Sequence, residues 1–128
     1  MKLWIGAEIE ADIGDQFRNV RRCVVDTINS YIDFREYDLG VESWDCIAIV
    51  RDDDCFPEKF VLNRKNGDMD FRIRIDYSKF KSGDRYEQKR LIFEMLEKSL
   101  LMLKEKNHNN GIDALLSDIK SIWSSIEK

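Results

Sequence analysis

The sequence predicts an α+β fold with a largely antiparallel four-stranded sheet, the element order β-α-β-β-β-α-α and helices packed on one face. Two segments alternate apolar and polar residues with the period of half-buried strands, two more are runs of β-type residues, and three others repeat apolar residues at the spacing of amphipathic helices. The dipeptide Asn66-Gly67, between the last two strand segments, is typical of a two-residue hairpin turn. Because the last three strands follow one another along the chain, we expect mainly antiparallel pairing.

The element boundaries follow from these patterns. Strands are predicted at residues 2–10, 44–51, 58–64 and 69–77, the first helix at 13–34, and two further helices in the C-terminal part, ending near Leu103 and starting near Ile112. In the last strand, Phe71, Ile73, Ile75 and Tyr77 are expected on one side and Asp70, Arg72, Arg74 and Asp76 on the other. Each helix start has an Asp or Asn followed three residues later by an acidic residue, which is typical of helix capping. The three pairs are Asp12 and Asp15, Asp84 and Glu87, and Asn110 and Asp113.

Length and composition indicate one domain, residues 1–128, because 128 residues with 43% hydrophobic content suffice for a single core. The 21 basic and 25 acidic residues leave a net charge of −4, which disfavours direct binding of nucleic acid. No apolar stretch approaches the roughly 20 residues of a membrane helix, and Glu8 interrupts the N-terminal segment before a signal-peptide core is complete. We therefore expect a cytoplasmic protein without membrane contact, and we interpret its three cysteines as reduced thiols.

The segment "AEIEADIGD", residues 7–15, carries four carboxylates. Asp12 and Asp15 are explained by helix capping, whereas Glu8 and Glu10 share a strand face with Trp4. If helices cover the apolar face of every strand, the charged residues of the last strand emerge on this same open face. Cross-strand ion pairs, a binding surface and a two-carboxylate hydrolase site are the alternatives, and the last of these would need a cleft that separates the two pKa values.

Two further features are candidates for binding. "RDDDC" places Asp52, Asp53 and Asp54 in succession without the ligand spacing of a calcium loop, which indicates a solvated and strongly negative loop. Trp44 is expected either on the open face beside Trp4, as a protein–protein hot spot, or buried at the sheet edge. The chain has no Gly-rich phosphate loop, no GxSxG elbow and no Cys/His zinc set, so we interpret it as a non-enzyme without cofactor or metal.

The succession "LWIGAEIE", "FRNVRRCVVDTIN", "WDCIAIV" and "FRIRIDYSKFK" resembles immunity family forty-four of bacterial polymorphic-toxin and contact-dependent growth-inhibition systems, over Leu3 to about Leu103. The resemblance implies a small cytosolic inhibitor that binds the toxin domain of its own strain, often a nuclease. The toxin would be the C-terminal domain of a large secreted protein, held in a 1:1 complex with a monomer of this chain. An adaptor module of an unrelated assembly is the alternative from a different functional class.

The resemblance gives no catalytic residues, and its recurrent positions can equally maintain the fold. These positions are Trp4, Gly6, Glu8, Arg18, Trp44, Arg72 and Asp76. The interface is therefore also sought in the less family-like stretch from Asp52 to Glu58. Together, the residues predicted to bind the toxin are Trp4, Glu8, Glu10, Trp44, Asp52, Asp53, Asp54, Glu58, Asp70, Arg72 and Arg74.

Replacement of Asp52, Asp53 and Asp54 by asparagine should slow association with a nuclease toxin at low salt while leaving thermal stability nearly unchanged. A nuclease holds phosphates in a positive channel, and an acidic loop in that field raises the association rate above the neutral range of about 10⁵ to 10⁶ M⁻¹s⁻¹. Stopped-flow measurements should show the difference shrinking near 0.5 M salt, where the screening length is roughly 4 to 5 Å. Equal rates at low salt would place this loop outside the interface.

Overall fold

The computed structural model of the protein describes the backbone of residues 3–9, 14–33, 36–37, 39, 43–50, 59–63, 68–107 and 110–127. Side chains are described for 14–33, 36–37, 39, 71–76, 78–106 and 111–127. In chain order the elements are β1 (Leu3–Ile9), α1 (Gly14–Tyr31), β2 (Ser43–Val50), β3 (Lys59–Asn63), β4 (Asp68–Arg74), α2 (Tyr77–Ser82), α3 (Arg85–Asn107), α4 (Asn110–Ser121) and α5 (Trp123–Glu127).

The strands are ordered β1-β2-β4-β3 across the sheet. β1 and β2 pair in parallel, β2 and β4 pair in parallel, and β3 and β4 pair antiparallel. Parallel neighbours cannot be joined by a tight turn, and α1 supplies the crossover between β1 and β2. The β3–β4 pair has the arrangement of a hairpin, while its turn, with Asn66-Gly67, lies outside the described residues.

The predicted fold class is wrong. Helices make up most of the residues whose side chains are described, and only the end of β4, residues 71–74, represents the strands among them. The sheet is not largely antiparallel either, since two of its three pairings are parallel. The prediction failed because it assumed that consecutive strands are neighbours, whereas β4 lies between β2 and β3.

The last strand also ends earlier than predicted. β4 stops at Arg74, and Asp76 is the N-cap of α2, where its carboxylate accepts a hydrogen bond from the backbone N–H of Lys79 at 3.0 Å. The sequence predicted that Asp76 extends the polar face of this strand. Instead, Asp76 lies beyond the end of the strand and caps α2. Capping is confirmed at the start of α3, where Asp84 accepts from the backbone N–H of Glu87 at 2.9 Å.

The core is built around α3, which contacts α1, α2, α4, α5, β2 and β4. Its buried apolar residues are Ile92, Phe93, Met95, Leu96, Leu100 and Leu103. From α1, Phe17, Val20, Val24 and Ile28 are buried at the predicted helical spacing, and Phe17 packs on Phe80 with ring centroids 5.4 Å apart. Tyr31, whose spacing from Ile28 in the sequence predicts that it continues this apolar face, is instead 66% exposed.

Tyr37 joins the segment after α1 to α4, because its hydroxyl donates a hydrogen bond to the carboxylate of Asp118. Desolvation by burial, followed by this hydrogen bond and the charge of Asp118, raises the pKa of Tyr37 to about 12. The protonated phenol is thus favoured in the folded protein. A raised pKa contributes stability that is fully present below the ordinary tyrosine pKa of 10.0 and is lost as the pH rises towards 12.

Tyr37→Phe should lower the free energy of unfolding at pH 7 by about 1 kcal/mol, as loss of one hydrogen bond does. Between pH 10 and 12 the parent should lose more stability than the variant, because only the parent must deprotonate this phenol. Urea unfolding of parent and variant measured across this range tests the difference. Identical slopes for parent and Tyr37→Phe would contradict the Tyr37–Asp118 contact.

Candidate functional site

The structure places about half of the predicted binding residues. Trp4 and Glu8 lie on β1, Trp44 lies on β2, and Asp70, Arg72 and Arg74 lie on β4. Glu10, Asp52, Asp53, Asp54 and Glu58 lie outside the described residues.

The strand register relates these positions to one another. Asp45 of β2 pairs with both Trp4 and Asp70, and Ile49 pairs with both Glu8 and Arg74. Paired positions on neighbouring strands belong to the same face of a sheet, so these positions of β1 and β4 share one face.

Trp44 is one residue out of step with the position paired with Trp4, since Trp44 pairs with Leu3 and Met69. Two residues further along, Cys46 pairs with Ile5 and with Phe71, which is completely buried. The register therefore separates Trp44 from Trp4.

Side chains at the end of β4 show which face is open. Phe71 and Ile73 are buried against the helices, whereas Arg72 is half-buried and Arg74 is exposed. The alternation predicted for this part of the strand is confirmed. Arg74 consequently lies where the open sheet face meets the helical layer.

A cleft of about 350 Å³ opens beside α3. It is lined by Lys79, Tyr86, Glu87, Arg90, Leu91 and Glu94. A second hollow of about 190 Å³ shares Leu91 and Glu94 with it and extends to Arg74, Asp76 and Lys98. We call these two adjoining hollows the α3 groove; they connect the first turns of α3 with the end of β4.

Arg90 is held between aromatic rings and a carboxylate. Its guanidinium carbon lies 5.1 Å from the centroid of the Trp123 ring and 5.9 Å from that of Phe93, within the range of cation–π attraction. Its Nε donates to Glu94 at 3.1 Å. Trp123 in turn meets Tyr86 edge-on at 5.8 Å and packs on buried Phe93 at 4.8 Å. Tyr86 and Arg90, which line the groove, are thus supported from behind by Trp123 and Phe93.

Within the described ranges, no group of three or more His, Cys, Asp or Glu side chains could hold a metal ion. Among the helices of the described residues, none is both long and apolar enough to cross a membrane. A surface of mixed charge with exposed aromatic edges is suited to binding another protein.

A protein-family model described as immunity protein 44 matches residues 1–125. The chain belongs to the immunity protein 44 family. This confirms the resemblance read from the strand and helix patterns. Membership supports a toxin-neutralising function, exerted as a non-catalytic inhibitor by binding a cognate toxin. No curated protein and no solved structure matches the chain.

Sequence reasoning missed the groove of this immunity protein. Tyr86, Arg90 and Glu94 are spaced at i, i+4 and i+8, so they share one side of α3, and this signal was present in the sequence. In the sequence, Trp123 stands out only as one member of an apolar helical repeat with Ile119 and Ile126. Its contact with Arg90 spans 33 positions, a separation that no local pattern encodes.

Arg90 and Trp123 should be energetically coupled. A double-mutant cycle built from Arg90→Met, Trp123→Leu and their combination should give a coupling free energy of about 0.5 to 1 kcal/mol in urea unfolding, the usual size of a solvent-accessible cation–π contact. Strictly additive losses would contradict the packing of the guanidinium on the indole ring.

Proposed function

We propose that this immunity protein binds the toxic C-terminal domain of a large secreted protein in the cytoplasm of the producing cell and so blocks its activity. The toxin belongs to a contact-dependent growth-inhibition or related polymorphic-toxin system, and its domain is a nuclease. The match to the immunity protein 44 family over residues 1–125 carries the proposal. The complex contains one copy of each chain, and inhibition requires no turnover by the immunity protein.

Two surfaces of the protein support binding of a macromolecule. One is the end of β4, where Arg72 is half-buried and Arg74 is exposed, and the other is the α3 groove, which Arg74 also lines. A stable protein–protein interface buries about 800 Å² on each partner, which requires a contiguous surface of this kind rather than a single pocket. The predicted contacts on β1 and β4, and the acidic stretch from Asp52 to Glu58, remain proposed parts of this interface.

Co-expression with the toxin domain encoded next to the immunity gene tests the function directly. The toxin domain alone should stop growth, and the immunity protein should restore growth and co-purify with the domain. A toxin domain paired with a different immunity protein serves as the specificity control and should remain toxic. Continued growth arrest together with failure to co-purify would refute the proposal.

The mode of inhibition is tested by titration of purified toxin domain with purified immunity protein. Residual nuclease activity should fall linearly and reach its minimum at about one equivalent, because a tight inhibitor acts by occupancy. Complete inactivation by a small fraction of one equivalent would instead show that the immunity protein acts catalytically on the toxin. Glu8→Gln would then be the first variant to examine, since Glu8 and Glu10 were the candidate carboxylate pair.

A further inference from the structure

We propose that the α3 groove is a docking site for an acidic surface segment of the cognate toxin domain. In this complex a toxin carboxylate binds Arg90, and a neighbouring apolar side chain enters the cleft beside Tyr86 and Leu91. The inference rests on the proposed function, in that it takes the toxin as the partner. It assigns the contact to helical residues that are absent from the binding surface predicted by the sequence.

The shape of the groove suits a protruding segment better than a flat surface. Its larger hollow, at about 350 Å³, has room for one or two side chains, and the smaller one continues along α3 towards β4. Leu91 lies at their junction and is half-buried, so it provides an apolar contact at the centre. Burial of an apolar side chain there adds affinity in proportion to the area removed from water.

Arg90 is arranged for binding before any partner arrives. Stacking on Trp123 and Phe93 and the hydrogen bond from Nε to Glu94 restrict the guanidinium, so little side-chain entropy remains to be lost on binding. The planar guanidinium matches a carboxylate with two parallel hydrogen bonds. Arginine, tyrosine and tryptophan are the residue types most enriched in interface hot spots, and all three meet here.

Charge complementarity favours an acidic partner segment. Four cationic residues line the groove, namely Lys79, Arg90, Arg74 and Lys98, against three carboxylates, Glu87, Glu94 and Asp76. Arg90 and Glu94 form an ion pair at 3.1 Å and Asp76 caps α2, so the lining as a whole keeps an excess of one positive charge. In a chain with a net charge of −4, the groove is therefore a locally positive site.

Variants of the groove test the proposal against a matched tyrosine. Tyr86 is 48% exposed in the groove, and Tyr31 is 66% exposed on α1 and does not line it. The affinity for the purified toxin domain should fall at least tenfold in Tyr86→Ala and in Arg90→Gln, and should change less than twofold in Tyr31→Ala. Arg90→Lys should recover only part of the loss, because lysine keeps the charge without the planar fork.

Thermal melts of each variant show whether weaker binding of the toxin domain results from loss of folding. A further variant, Lys79→Glu, tests the charge of the groove. Lys79 is exposed at the rim of the groove, and Lys79→Glu reverses its charge without altering the core. This variant should bind at least fivefold more weakly at low salt, with the difference shrinking as salt rises. Unchanged affinity of Lys79→Glu at low salt would count against an acidic partner segment.

Charge reversal in the toxin domain identifies the toxin carboxylate that binds Arg90. One Asp→Lys or Glu→Lys variant of the toxin domain should lose binding to the parent immunity protein and regain it with Arg90→Glu. Suppose that the parent protein binds and protects, and that Tyr86→Ala and Arg90→Gln bind the toxin domain within twofold of the parent. This result would refute docking in the α3 groove and leave the proposed function intact. Parent protein that neither binds nor protects would overturn the proposed function itself.

Discussion

Burial of α3 on several sides is the constraint on which the rest of the structure depends. The helix contacts α1, α2, α4, α5 and two strands, and its residues from Ile92 to Leu103 include six fully or nearly buried apolar side chains. A helix that is apolar on more than one side is stable only at the centre of a fold. One side of its first turns is the exception, because Tyr86, Arg90 and Glu94 remain accessible there. The groove consequently lies on the helix that contacts the other helices and two strands.

This placement has consequences for binding. An inhibitor that must suppress a toxin needs slow dissociation, and rigid contact residues reduce the entropy lost when the complex forms. The guanidinium of Arg90 packs on the rings of Trp123 and Phe93. Phe93 is buried in the core, so core packing restricts the position of Arg90. The sheet contributes through β4, where the exposed Arg74 lines the groove.

Local patterns in the sequence were sufficient for some features and insufficient for others. The buried face of α1, the alternation at the end of β4 and the cap at Asp84 depend on neighbouring residues and could be predicted. The parallel pairings, the position of β4 and the meeting of Arg90 with Trp123 depend on contacts between distant segments. The family resemblance supplied the function, but a family pattern marks the positions that keep the fold and does not mark those that recognise an individual partner.

The three tryptophans provide the most direct test of the α3 groove as the toxin-binding site. Each gives one indole N–H signal in a nitrogen-correlated NMR spectrum: Trp4 on β1, Trp44 on β2 and Trp123 beside Arg90. Saturation with unlabelled toxin domain should shift or broaden the Trp123 signal, because its ring packs on Arg90 and Tyr86, which line the occupied groove. A complex that perturbs the signal of Trp4 while leaving that of Trp123 unchanged would contradict the groove and assign the interface to the sheet face.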